Sequence, residues 1–119
     1  ILPWSSNYFR SKLWRLKMSA EFILSFPDDS WYLRNRNNIV NKILFLSTYR
    51  KNDGDMYYLS CDEGEWDYCV RLCIENCSVF IEIFSHPASI EKDLISLFTW
   101  IRSQTIISIC DNDGEESGW

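Results

Sequence analysis

The stretch that most constrains this chain is residues 69–84, CVRLCIENCSVFIEIF, because it predicts both a β-hairpin and the register of its strands. Two β-rich runs flank Asn76 and Cys77, which we expect to form a two-residue turn. Counting outward from that turn places aliphatic side chains opposite one another on one face of the hairpin. The predicted pairs on this face are Ile74 with Val79, Leu72 with Ile81, and Val70 with Ile83.

The second face of this hairpin carries an opposite-charge pair, because the same register places Arg71 opposite Glu82. A shift of one residue would turn both charged side chains into the aliphatic face, so the charges and the apolar residues agree on one register. The remaining predicted pairs on this second face are Cys73 with Phe80 and Cys69 with Phe84.

Two further segments extend the hairpin into a meander. The run MYYLSC before it predicts another strand, with Leu59 opposite Tyr68, Tyr57 opposite Val70, and Cys61 opposite Trp66. The turn KNDGD then joins this strand to KILFLSTY, residues 42–49. Those residues could end a preceding helix or form a strand, and the Asp-Gly turn favours the strand.

Helices are predicted on either side of the meander. A first strand, Glu21–Phe26, precedes a helix that is capped by Asp28, Asp29 or Ser30 and runs to about Asn41. A second helix, about Ile90–Ser103, is followed by a last strand, TIISIC. This helix has one apolar stripe, formed by Ile90, Leu94, Leu97, Phe98 and Ile101. The predicted fold class is α+β, an antiparallel β-meander with one or two helices packed on one face.

The chain of 119 residues has the length of one domain, and its first 17 residues differ from the rest in charge. Residues 1–17 hold four bases and no acid, and Phe9, Leu13 and Leu16 recur at helical spacing. We interpret them as a basic leader outside the native domain or as an N-terminal helix, with the leader favoured. Residues 18–119 are predicted to form a single α+β domain.

Metal and catalytic chemistry find little support in the sequence. The five cysteines form an odd set with no signal peptide before them, so we expect free thiols in the cytoplasm. On a strand, Cys69 and Cys73 would lie about 13 Å apart, too far to share a zinc ion. There is one histidine, His86, and no glycine-rich phosphate loop. We therefore expect no cofactor and no enzyme activity. No apolar run is long enough for a membrane span.

Acidic residues dominate the second half of the chain. Residues 53–119 hold fourteen acids and three bases, which argues against nucleic acid as a direct partner and favours a basic protein. Two segments, DEGEWDY and DNDGEESGW, combine carboxylates with aromatic residues, and neither has the order of an EF-hand loop. The candidate partner-binding residues are Tyr58, Asp62, Glu63, Glu65, Asp67, Phe80, Glu82, Phe84, Asp111, Asp113, Glu115 and Glu116.

In size, in its acidic second half and in those two aromatic–acidic segments, the chain resembles the small bacterial immunity proteins that neutralise nuclease toxins. The resemblance implies a non-enzymatic cytoplasmic protein that covers the active site of a basic partner. The alternative is a structural or interaction module, such as a homodimer subunit, in which Phe80 and Phe84 pack against another copy.

Overall fold

A computed structural model of the protein describes residues 19–60 and 68–119. These residues form two helices and a six-stranded antiparallel sheet, which confirms the predicted α+β class. The strands lie in the order β2-β3-β4-β5-β1-β6. In chain order the elements are β1 (Ala20–Ser25), α1 (Asp29–Leu44), β2 (Tyr49–Asp53), β3 (Met56–Leu59), β4 (Val70–Ile74), β5 (Ser78–Ile83), α2 (Ala88–Arg102) and β6 (Ser108–Asp111).

The register predicted for the central hairpin is confirmed. The Glu75 N–H donates to the Ser78 carbonyl at 2.9 Å, which closes the turn at Asn76 and Cys77. β4 and β5 then pair at five of the six predicted positions: Ile74 with Val79, Cys73 with Phe80, Leu72 with Ile81, Arg71 with Glu82, and Val70 with Ile83. The predicted pair of Cys69 with Phe84 is not part of this ladder, although the Cys69 carbonyl accepts the Phe84 N–H at 2.8 Å.

The register predicted between β3 and β4 is wrong by two residues. Tyr57 lies opposite Leu72, and Leu59 lies opposite Val70. A shift of two residues leaves every side chain on its predicted face, so the apolar pattern could not detect it. The offset depends on the length of the connection between the strands. The predicted pair of Cys61 with Trp66 lies outside the described residues.

The prediction of a strand from Lys42 onward is also wrong. Helix α1 continues to Leu44 and is capped by Phe45, because Ile39 and Ile43 extend its buried stripe by another turn. Burial of that stripe outweighs the β propensity of the segment. The predicted β-hairpin is confirmed, but its turn is shorter than KNDGD. Strand β2 continues to Asp53, which pairs with Met56 across Gly54 and Asp55, and Gly54 has a φ of 60°.

Both helices pack on the aliphatic side of the sheet, and their buried side chains form one cluster with it. Among the predicted caps Asp28 is correct, since its carboxylate accepts the Trp31 N–H at 3.1 Å. Helix α2 begins two residues earlier than predicted and ends one residue earlier. Its predicted stripe is confirmed, because each member is at most 2% exposed: Ile90, Leu94, Leu97, Phe98 and Ile101.

Strand β1 lies inside the sheet, between β5 and β6, and pairs antiparallel with both. The last strand begins at Ser108 and not at Thr105, because the Gln104 and Thr105 N–H groups donate to the Ile101 carbonyl and prolong the end of α2. Beyond β6 the chain turns back, and the Ser117 N–H donates to the Ile109 carbonyl at 3.0 Å.

Candidate partner-binding face

The side of the sheet opposite the helices is called the outer face here. It is defined by two rows of side chains that cross the strands in register. The charged row consists of Lys51, Tyr58, Arg71, Glu82 and Glu21, on β2, β3, β4, β5 and β1. The apolar row beside it consists of Met56, Cys73, Phe80, Ile23 and Cys110, on β3, β4, β5, β1 and β6.

The centre of the charged row is the ion pair of Arg71 with Glu82. Glu82 is 8% exposed, and its Oε1 accepts from both Nε and Nη2 of Arg71. Burial disfavours the charged guanidinium, but the hydrogen bond and the charge of Glu82 outweigh it and raise the pKa of Arg71. The guanidinium therefore stays charged. Removing one member would leave the other as an uncompensated charge.

Aromatic rings surround this ion pair. The Tyr68 ring lies 4.7 Å from the Tyr58 ring and 5.4 Å from the Phe84 ring, both edge-on. The Lys51 Nζ lies 5.3 Å from the centre of the Tyr58 ring, at cation–π distance. The structure thus brings Tyr58 and Phe84 together with the ion pair on the predicted face. Tyr58 lies opposite Arg71, however, and not opposite Cys69 as the predicted β3–β4 register implies.

The apolar row adds contact area beside the rings. Phe80 is partly buried between Cys73 and Ile23, and Ile23 is 40% exposed. Burial and the charges of Glu75 and Asp55 raise the pKa of the Cys73 thiol, so it is protonated at neutral pH and weakly reactive.

The predicted acidic segment at the C-terminus folds into a turn in which one carboxylate is structural and the other acidic side chains are exposed. Asp111 builds the turn: its Oδ1 accepts the N–H groups of Asp113 and Glu115 at 2.9 and 3.0 Å. The side chains of Asp113 and Glu115 are exposed. Glu116 lies at the margin of the outer face, where its Oε2 accepts from the Ser108 hydroxyl at 3.0 Å.

The predicted acidic turn falls outside the part of the chain that the structure describes, together with its four carboxylates: Asp62, Glu63, Glu65 and Asp67. Their place relative to the outer face stays a prediction. Cys69, which the register assigns to the outer side, is 3% exposed and belongs to the core cluster. It lies just before β4, where the alternation of the strand has not yet begun.

Sequence reasoning missed Glu21 and Ile23, the outer-face side chains of β1. The period of two along a strand contains the signal, because it places Glu21, Ile23 and Ser25 on one side of β1 and Phe22 and Leu24 on the other. Using that signal requires knowing that β1 lies beside β5. This long-range fact is absent from any local pattern.

Among the cysteines of the described residues, Cys73, Cys77 and Cys110 are free thiols. Within residues 19–60 and 68–119, no three or more His, Cys, Asp or Glu side chains are grouped so as to hold a metal ion. His86 is exposed, and its ring packs edge-on against Trp119 at 6.1 Å. In the same described ranges, no helix is long and apolar enough to cross a bilayer.

Comparison with known proteins adds no relative: no family model, no curated protein and no solved structure matches this chain.

Proposed function

We propose that this protein is a non-enzymatic, acidic binding protein that neutralises a basic protein partner in the cytoplasm. Among such proteins, an immunity protein that blocks a nuclease-type toxin suits the chain best. Its net charge of −5 favours a cationic partner, because opposite charge steers the encounter and raises the association rate. Nucleases hold their substrate in cationic clefts, which an acidic protein can cover.

The observation that carries this proposal is the composition of the outer face. A half-buried ion pair, Arg71 with Glu82, lies among Tyr58, Phe80 and Phe84 on a side of the sheet that neither described helix covers. Aromatic residues beside largely desolvated charges are the usual composition of binding hot spots. Glu21 and Glu116 extend the face with negative charge toward β6.

The test begins with capture of the partner from a lysate of the source organism on immobilised protein, at about 50 mM and about 500 mM salt. A basic protein retained at low salt and released at high salt is expected. Its affinity is then measured against two variants. Phe80→Ala should weaken binding by roughly tenfold or more. Phe45→Ala is the matched control: Phe45 caps α1 on the helical side, is 88% exposed, and should bind as the parent does.

Two results would contradict the proposal. One is a partner list without any basic protein at either salt concentration. The other is a basic partner whose affinity falls equally for Phe80→Ala and Phe45→Ala, because the outer face would then not be the contact. Urea unfolding of both variants shows whether either loss reflects a damaged fold.

The acidic turn has its own prediction. Replacing Glu63 and Glu65 by lysine should slow association with the basic partner by roughly tenfold at low salt, while the free energy of unfolding stays within about 0.5 kcal/mol. Stopped-flow association kinetics measure the effect. The control that changes the net charge by the same four units is Asp29→Lys with Glu91→Lys, at two exposed positions on the helices. An unchanged association rate would remove these two residues from the recognition surface.

A further inference from the structure

The charged row of the outer face divides by sign at the middle of the sheet. Counting from β2, the first three strands contribute Lys51, Tyr58 and Arg71, and the next two contribute Glu82 and Glu21. On β6 the row ends near Asn112, whose Nδ2 donates to the Glu21 Oε1 at 3.0 Å. The sign changes between β4 and β5, which are the two central strands of six.

Such a row is complementary to itself. Consider a two-fold axis that lies above the outer face, parallel to the strands and midway between β4 and β5. Rotation about this axis places a second copy with its outer face against the outer face of the first. Strand β5 of the second copy then covers β4 of the first, β1 covers β3, and β6 covers β2. Arg71 of each copy then faces Glu82 of the other, and Tyr58 faces Glu21. The Lys51 Nζ, which lies 5.3 Å from the centre of the Tyr58 ring, comes beside the Glu21 carboxylate of the other copy. Sheets pack face to face about 10 Å apart, a distance that long charged side chains can span.

The ion pair leaves room for this arrangement. Both nitrogen contacts from Arg71 end on Oε1 of Glu82, and no described donor reaches Oε2 of this largely buried carboxylate. A buried carboxylate is better stabilised when its second oxygen also accepts a hydrogen bond. A guanidinium of a second copy would supply it. One acid does not fit the division by sign: Asp53 lies opposite Met56, at the β2 end of the apolar row.

The apolar row adds apolar area to the contact. Ile23, Phe80 and Met56, on β1, β5 and β3, keep exposed surface in the single chain. With a two-fold axis along the strands, the apolar row of one copy covers the apolar row of the other, as the charged rows cover each other. Burial of apolar area supplies the affinity, while the charges set the register.

From this juxtaposition we propose that the outer face binds the outer face of a second copy, forming a two-fold symmetric dimer in the free protein. The dimer does not depend on the neutralising role. Where both occur, a basic partner competes with the second copy for one surface.

The experiment uses charge reversal in the two halves of the row. Sedimentation equilibrium is run at about 100 µM for the parent protein, where a micromolar dissociation constant gives mostly dimer. Glu21→Lys and Lys51→Glu are then measured separately. Each reversal occurs twice in a symmetric dimer, so each should weaken dimerisation by roughly tenfold or more. An equimolar mixture of the two variants should recover the dimer, because each supplies the charge that the other lacks.

Recovery in the mixture cannot come from a folding defect, since two misfolded proteins do not repair one another. The matched controls are two single variants on the exposed side of α2, Glu91→Lys and Lys92→Glu. Each should dimerise as the parent does, both alone and in an equimolar mixture. A parent protein that stays monomeric at about 100 µM would overturn the proposal. So would a mixture no more dimeric than its two components. Neither result bears on capture of a basic partner.

Discussion

Replacing Asp93 by alanine is expected to lower the free energy of unfolding by about 3 kcal/mol. The Asp93 carboxylate is 8% exposed and holds the turn between α1 and β2 against α2. Its Oδ2 accepts the Thr48 N–H at 2.8 Å, the Thr48 hydroxyl at 2.6 Å and the Ser47 hydroxyl at 3.1 Å. Alanine would leave a buried N–H and a buried hydroxyl without acceptors, and that desolvation penalty sets the magnitude.

Thermal unfolding should show the same loss as a fall in Tm of roughly 15 °C for a domain of this size. Glu91→Ala is the matched control, because this exposed carboxylate lies in the same helical turn and its removal should cost less than about 0.5 kcal/mol. Asp93→Asn keeps one acceptor oxygen, so its loss of unfolding free energy should lie between those of Asp93→Ala and Glu91→Ala. An Asp93→Ala variant as stable as Glu91→Ala would show that the turn is held by other contacts.

Stability is also expected to fall as the pH rises above 10, and Tyr32 is expected to be a main cause. This side chain is fully buried, and its hydroxyl donates toward the carbonyls of Glu75 (2.6 Å) and Ser78 (3.0 Å). Burial, with the charge of Glu75 adding to it, raises the pKa of Tyr32 to about 12 from its ordinary value of 10.0. Through these two hydrogen bonds the Tyr32 hydroxyl connects α1 to both ends of the β4–β5 turn.

The direction of this pH dependence follows from proton linkage. Above pH 10 the unfolded chain releases the Tyr32 proton while the folded protein keeps it, so rising pH stabilises the unfolded state relative to the folded one. The stabilisation is complete below pH 10 and declines by roughly 1.4 kcal/mol per pH unit until the folded pKa is reached. Urea unfolding at pH 8 to 11 measures this slope.

Tyr32→Phe provides the comparison. At pH 8 it should be less stable than the parent by about 1 kcal/mol, because two carbonyls lose their donor. Above pH 10 that difference should shrink, since phenylalanine has no proton to release. Tyr57→Phe is a second control. Burial also raises the pKa of Tyr57, so this variant measures the part of the pH dependence that comes from Tyr57 and not from Tyr32. Parallel pH profiles for the parent and Tyr32→Phe would contradict the assignment to Tyr32.

Local patterns predict the parts of this protein whose partners lie close in sequence. The β4–β5 hairpin follows from one turn and from alternation, because Arg71 and Glu82 are held opposite each other by a connection of three residues between the strands. The stripe of α2 follows from helical periodicity for the same reason. Alternation alone also assigns the outer-face residues of β5, Phe80 and Glu82, to the side of the sheet on which they lie.

Patterns fail where two answers satisfy the same periodicity. The predicted β3–β4 pairing differs from the observed one by two residues, because an even shift changes no side chain's face. Residues 42–44 suit a strand as well as a helix, because a short apolar run fits either element until the buried positions of Ile39 and Ile43 are known. In both cases the deciding contact is made to a distant part of the chain.

By itself, then, the sequence determined the class of the fold, the aliphatic face of the sheet and the ion pair on its other face, since each depends on near neighbours and on alternation. Tertiary structure alone decided that β1 lies between β5 and β6, which brings Glu21 beside Glu82 and divides the charged row by sign. It also decided the burial of Asp93 against Thr48, across 45 residues of chain. Such contacts are chosen by packing of the whole core, and no local pattern encodes them.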